Sequence, residues 1–590
     1  MHIQIRMHIQ KTNRTLNRFK SLYLLFLFVF LAIKADAQQI FSNNNHQFTD
    51  FRQPLDITPP ALAGSFGELR ANHFHSGIDF KTNQQSGYPV YATADGYISR
   101  LRVQNSGFGL ALYINHPNGF TSVYAHLSRF SPKIAQEVKK IQYQKKSYEI
   151  DEFPNPDYIS VRKGDIIAYS GNTGSSGGPH LHFELRDTKT EVTINPQLLG
   201  IQIPDNVPPV ISSMYVYRLN GKPFNEFTPK QYFQVAGANG KYTLNKVNTI
   251  NLAGEVGFGI VTTDKHSGNS GLNGVYSIEL FLDGKRIFTS ALERFSFENS
   301  KAINSHIDYP TLINLKKSIQ KSFLAPGNPL QIYSNVINNG IINFDDGQIH
   351  EVKYIITDSK GNKSTLAFNV LSNPKATLNT PKQPNGITFS YSKLNEYNED
   401  DVKVILPKGT LYDDLNFVYK KLPKLNTNAF SPIHQVHNNL TPLHVGFELW
   451  IKADSNLTKY QSKALIVNSN GVNQGGSFEN GYVKTKPKNF GKFYIAIDTI
   501  APSIIPINIA NGKNMAGISK MSFRISDNLS GIKSFNGYID GKWVLMEFDS
   551  KSASLWHSFD EQTSTGKHNF ELIVTDIKDN VKRYAIEFFK

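Results

Sequence analysis

The chain of 590 residues contains no cysteine. Disulfides are thereby excluded, so every domain must be held by its own apolar core. The same absence leaves nothing to acylate and excludes a lipoprotein. No apolar run reaches the ~20 residues of a membrane span; the longest, "LYLLFLFVFLAI", covers only 22–33. H-E-x-x-H occurs nowhere, so a helix-borne pair of zinc-binding histidines with its glutamate base is missing. The glycine run "GNTGSSGG" at 171–178 lacks the G-K-[ST] ending of a phosphate loop. No clustered Lys/Arg run with interleaved aromatics argues for nucleic acid, and none is expected as a partner.

What is present begins with an export pattern. Arg6, Lys11, Arg14, Arg18 and Lys20 precede the apolar run, and "ADA" follows at 35–37. A basic start, a short apolar stretch and a small-x-small site predict a cleavable signal peptide over 1–37. An uncleaved anchor is the alternative. The formal charge is +15, and removing 1–37 takes six Lys/Arg and one Asp, leaving +10. That excess suits an anionic envelope polymer, and equally suits a lysine-rich surface that serves solubility.

The length of the chain suggests roughly three to five domains. Residues 38–58 are polar and read as a loose lead-in. From 59 to 200 alternating segments recur, with Asp-Gly at 95–96 and Asn-Gly at 118–119 as hairpin signals. The charged stretch 129–160 breaks this rhythm and reads as a partly helical insertion beside a cleft. Further on, "DNVPPVI" at 205–211 returns as "DTIAPSI" at 498–504, and "YIITDSKGNKSTLAFNV" at 354–370 as "LIVTDIKDNVKRYAIEF" at 572–588. Paired opening and closing signatures imply two related domains, 201–372 and 498–590. Alternating strands with regular turns suggest immunoglobulin-like sandwiches, the first carrying an inserted helix near 309–327. Residues 373–497 form a further β-domain between them.

Three stretches of the 59–200 region carry the chemistry: "HFHSGIDF" at 73–80, "YAHLS" at 124–128 and "GPHLHFEL" at 178–185. Residues i and i+2 of a strand share a face, so His180 and His182 enter one cleft while Leu181, Phe183 and Leu185 turn to a core. His75 and Asp79 flank Gly77, whose turn or bulge can fold imidazole and carboxylate around one ion. Four histidines and an aspartate then suit a hydrolytic zinc site, with three protein donors and an open fourth position.

These stretches, with "GFGLALYINHPNGFTSVYAHLS" at 107–128, "VRKGDIIAYSGNTGSSGGPHLHFEL" at 161–185 and "INP" at 194–196, closely resemble the LytM/lysostaphin-type zinc peptidases of family M23. The resemblance covers 59–200. It implies a mainly β fold, with an N-terminal LytM-like antiparallel β peptidase domain followed by β-sandwich domains. It also implies that His75, Asp79 and His182 hold zinc, and that His126 and His180 are unligated catalytic histidines. One of the two takes the proton of water and the other steadies the oxyanion, in either order. The implied activity is that of an exported endopeptidase of the periplasm or cell envelope, cutting peptidoglycan cross-links or stems. A non-hydrolytic wall-binding scaffold or amidase activator of the same family is the alternative. The C-terminal β-domains are candidate surfaces for an envelope protein partner.

Neighbouring residues draw plainer readings. His73 is expected to be solvated or to stand behind the ligands, and His116 to serve the "HPNG" turn. Glu184 reads as a rim or structural carboxylate rather than a partner of a ligand. Arg70 fits an acidic substrate group or an ordinary ion pair. The glycines of 171–178 are expected to let backbone approach an extended peptide. His434, His437 and His444 are expected on an ordinary β-domain surface.

Overall fold

Strand-forming segments separated by glycine- and asparagine-rich turns dominate the regular structure of the described residues, and the fold is mainly β. A computed structural model describes residues 50–267, 271–373 and 385–590. The expected signal peptide and residues 38–49 of the lead-in lie outside the described residues. Among the described residues no helix is long and apolar enough to cross a membrane.

The 59–200 region is built on an antiparallel sheet. Its strands are β1 (Leu62–Gly64), β2 (Ile78–Lys81), β3 (Gly96–Val103), β4 (Leu110–Asn115), β5 (Phe120–Leu127), β6 (Ile150–Glu152) and β7 (His180–Asp187). Their order is β1-β2-β7-β5-β4-β3-β6. The strand carrying H-L-H is therefore central, between the H-S-G-I-D strand and the Y-A-H-L strand. Alternation along β7 sends Leu181, Phe183 and Leu185 into the core with Phe80 and Tyr124. Each such side chain contributes about 1.5–3 kcal/mol on burial, and together they fix which face His182 presents.

Asn118-Gly119 closes the β4–β5 hairpin, with Gly119 at φ 83°. Asp95-Gly96 does not close one. The segment before it, Pro89–Tyr91, pairs with Ile166–Tyr169 in a separate three-stranded sheet. Gly96 is required for another reason: a Cβ there would lie 2.3 Å from the Asn115 carbonyl oxygen.

The insertion contains helix α1 (Pro132–Lys145), started by a proline in its first turn and ended at Lys146 in the left-handed region. Ile134, Val138 and Gln142, spaced by four, form its buried stripe. Its other side meets the C-terminal domain. Tyr143 Oη donates to Asp560 at 2.6 Å, Lys139 pairs with the same carboxylate at 3.0 Å, and Trp543 stands perpendicular to the Tyr143 ring.

Residues 210–372 supply a twelve-stranded sheet around Met214, Phe258, Leu280 and Tyr354. Its helical excursion, Phe297–Leu315, is reached through Arg294–Phe295, which pairs with Thr193–Ile194 of the 59–200 region. Leu292, Phe295 and Ile303 join the core of the 59–200 region, so the two regions share one apolar cluster. Residues 387–497 form sheets of two, five and four strands over a core of their own. Residues 503–589 form sheets of four and five strands that enclose Phe523, Leu555 and Phe570. The two closing signatures are both antiparallel hairpins, Ile349–Thr357 with Lys363–Ser372, and Lys567–Asp576 with Val581–Phe589.

His434 and His437 are not on a surface. His434 is fully buried with Nδ1 2.8 Å from the Tyr419 hydroxyl, and burial pushes both imidazoles down to about 4. An apolar strand neighbourhood buried them, and isolated histidines carry no sequence signal for that.

Candidate metal centre and active site

Strand register assembles the centre. His182 on β7 lies directly opposite Asp79 on β2 and Ala125 on β5. His75 reaches the same point from the turn before β2. Gly77 allows that turn, because a Cβ would meet the Phe183 carbonyl oxygen at 2.3 Å. The result is three converging donors: His75 Nε2 to Asp79 Oδ1 at 3.0 Å, His182 Nδ1 to Asp79 Oδ1 at 2.9 Å, and His75 Nε2 to His182 Nδ1 at 3.0 Å.

The far side of each ring fixes what the near side offers. His75 Nδ1 must donate to the Ser65 carbonyl, 2.8 Å away, which leaves a lone pair on Nε2. His182 Nε2 donates to Glu184 Oε1 at 2.9 Å, which leaves a lone pair on Nδ1. Two lone pairs and a carboxylate oxygen at such distances repel unless a cation stands among them. The pocket's affinity for positive charge is visible in His182. Burial works against its charge, but Asp79 and Glu184 outweigh burial and push it up to about 9. A metal ion competes for this place with a proton. Neutral imidazoles and a carboxylate held about 3 Å apart suit tetrahedral zinc, whose ligands stand roughly 3.3 Å from one another.

Glu184 is wholly buried rather than on a rim. Burial opposes its charge, yet Arg186 and His182 hold it down near 2. Arg186 Nη2 lies 2.6 Å from Oε2, and Ser76 Oγ donates to Oε1 at 2.5 Å. Its place two residues after His182, on the same strand face, was the available signal. Arg70 pairs with Asp79 Oδ2 at 3.1 Å and with Glu68, so it steadies the carboxylate of the cluster. His73 is exposed and stands apart, donating to the Ala71 carbonyl. His116 is buried, bridging the Asp95 carbonyl and Ser122 Oγ.

His126 and His180 stand beside the cluster, with ring centroids 4.9 Å apart and His126 5.8 Å from His182. His126 has φ 57° where the β4–β5 register shifts. That left-handed backbone at a bulge re-aims its ring out of simple alternation. Its Nδ1 donates to the Thr173 carbonyl at 2.8 Å, and that of His180 to the Gly178 carbonyl at 2.8 Å. Both rings therefore keep Nε2 as an acceptor; that of His180 lies 3.4 Å from Asp79 Oδ1. Burial, then the charges of His182 and His180, push His126 down to about 3, so it is neutral near pH 7.

The 171–178 loop is stitched to the chain's own backbone. A Cβ on Gly171 would lie 2.3 Å from the Ser128 nitrogen, and one on Gly174 2.3 Å from that of Gly109. These two glycines serve close packing of loop on loop, while Gly177 and Gly178 have open space beside them.

The family model for peptidase family M23 matches residues 73–143 and 157–196. The N-terminal region is an M23 peptidase domain. M23 is a family of zinc metallopeptidases acting on peptidoglycan. Among curated relatives, the domain is similar to the DD-carboxypeptidase/endopeptidase Mpg of Neisseria meningitidis, with 37% identity over 137 residues, 23% of this chain and 25% of that protein. It is also similar to the peptidoglycan DD-endopeptidase ShyB of Vibrio cholerae, with 33% identity over 140 residues, 23% of this chain and 27% of that protein. The matches thus span about a quarter of each relative's length. A zinc-containing peptidase from Vibrio cholerae overlaps 27% of this chain and 40% of its own, at 25% identity and TM-score 0.19. Residues 387–498 match a Zu5-like domain.

Proposed function

We propose that this chain is an exported zinc endopeptidase that hydrolyses peptide bonds of peptidoglycan cross-links or stems. The observation that carries the reading is the convergence of His75 Nε2, Asp79 Oδ1 and His182 Nδ1 within 3.0 Å of one another, with two further histidines alongside. His75, Asp79 and His182 would hold the metal. Bound zinc supplies Lewis acidity, polarising a carbonyl and lowering the pKa of water from about 15.7 towards 7.

The other work falls to the chain's own groups. His126 and His180 both present bare Nε2 atoms, so either can accept the proton released as water adds to the scissile carbonyl. That proton then passes to the amine nitrogen as the C–N bond breaks. General acid–base help of this kind is worth about 10²–10⁴-fold. Arg70 and Glu184 hold Asp79 and His182 in place. The relatives named as DD-endopeptidases support a D,D cross-link as the bond.

The test is digestion of defined cross-linked muropeptides by the purified chain, with new amino termini read by mass spectrometry. Cleavage is expected with zinc, and none after chelation or with His182→Ala. Undiminished cleavage by His182→Ala would overturn the metal assignment. Intact fragments in the presence of zinc would leave the non-hydrolytic reading in its place.

A further inference from the structure

A second histidine–carboxylate cluster lies where the chain leaves the peptidase domain. Asp205 sits in the linker, while Asp264 and His266 follow the strand Gly254–Thr263. One donor atom of each lies within 4.8 Å of the others. His266 Nε2 is 3.6 Å from Asp264 Oδ2.

The cluster is incomplete as it stands. Asp264 is 1% exposed, yet its Oδ1 has no hydrogen-bond partner among the described residues. Asp205 Oδ1 accepts from the amides of Val207 and Ser267, but its buried Oδ2 has no partner either. Buried, unpaired carboxylate oxygens are costly unless a cation meets them. Asn273 adds an independent sign. Its Oδ1 is buried without a partner while its Nδ2 stands 3.2 Å from His266 Nδ1. Amide oxygen and nitrogen are interchangeable by shape. Exchanging them lets Oδ1 accept from His266 Nδ1–H, which leaves the Nε2 lone pair facing Asp264 across a gap that an ion would fill.

The nearby charges do not close the account. Asp358, whose field acts on Asp264, is satisfied by the amides of Lys360 and Asn362 and by Asn362 Nδ2. Lys360 donates its ammonium to Gln202 Oε1.

The C-terminal repeat offers a matched corner. Asp498, Asp527 and Asp576 converge there, but Leu529 stands where His266 does in the pattern "DKHS" against "DNLS". Asp498 accepts from the Ile500 and Ser530 amides, and Lys578 and Lys463 lie nearby. That corner is a control.

We propose that Asp205, Asp264 and His266 form a structural site for a transition-metal dication of the zinc or manganese class, tying the linker to the first β-repeat. Imidazole with two carboxylates favours such ions over calcium, which takes oxygen ligands.

The test uses the full chain with His75→Ala and His182→Ala, so that metal at the peptidase centre does not mask the corner. After stripping and dialysis against Zn²⁺, metal analysis should find one equivalent retained. His266→Leu, which installs the residue of the C-terminal repeat, should remove it while the circular dichroism spectrum stays that of the parent. Asp264→Asn should do the same, and the parent's melting temperature should rise with Zn²⁺. Separate dialyses against Mn²⁺ and Ca²⁺ read the ion class. Retention of Ca²⁺ that survives His266→Leu overturns the class. No retained zinc, or retention indifferent to both substitutions, overturns the site. Loss of the zinc on Asp527→Asn would put the ion in the other corner and overturn it as well.

Discussion

The two histidine–carboxylate clusters have similar donors and different surroundings. At the peptidase centre every proposed ligand is gripped from behind: His75 by the Ser65 carbonyl, His182 by Glu184, Asp79 by Arg70. Two further imidazoles with bare Nε2 atoms stand alongside. At the linker corner, among the described residues, the carboxylates keep unpartnered oxygens, one asparagine backs the histidine, and no second histidine joins the triad. Donor type alone does not separate chemistry from stapling. What separates them, on the proposed function, is the pair of neighbouring imidazoles, proposed to take and return a proton.

The largest effect should come from removing one of those imidazoles. His126→Ala is expected to lower kcat by about 10²–10⁴-fold, while zinc content stays at the parent value by metal analysis. Loss of zinc together with turnover would erase the distinction between holding and working residues. Next in size is Glu184→Gln. Loss of its charge and of the Arg186 pair weakens the hold on the His182 ring, and partners of this kind change metal affinity by about 10–100-fold. Competition with a zinc chelator reads this directly. The linker corner should be indifferent, so zinc retained there after His266-dependent loading must not change. Unaltered zinc affinity at the centre would make Glu184 a packing residue only.

How much of this could be read from the chain follows from how local each feature is. His180 and His182 belong together because a strand alternates, and their apolar neighbours say which face is the core. The Asp79–His182 pairing depends on register between strands a hundred residues apart, and only the family pattern supplied it. His126 breaks alternation through a left-handed residue at a bulge, which composition does not mark. Asp95-Gly96 looked like a hairpin and is instead a point where two sheets part. The repeat signatures were legible as "DNVPP" and "DTIAP", but the aspartates in them gather only when three segments meet at one pole. His434 and His437 went wrong for the converse reason: a buried histidine with one hydroxyl partner looks like any other in sequence.

The smallest effect concerns the flank. The peptidase centre is bordered by the far end of the chain: Lys551 donates its ammonium to the Asn172 carbonyl and, at 3.2 Å, to that of Ser176, and Ser550 Oγ reaches the Asn105 carbonyl at 2.6 Å. The Asn172 and Ser176 carbonyls belong to the loop that seats His180, through the Gly178 carbonyl and Ser176 Oγ. Lys551 thus grips the backbone of a positioning loop without touching either histidine. An exposed contact of this sort is worth about 0–1 kcal/mol, or up to about fivefold in rate. Lys551→Ala is therefore expected to lower kcat about two- to fivefold with KM and the zinc content of both clusters unchanged. A rise in kcat/KM on large cross-linked fragments, absent on small ones, would show that the C-terminal turn obstructs the cleft rather than ordering its edge.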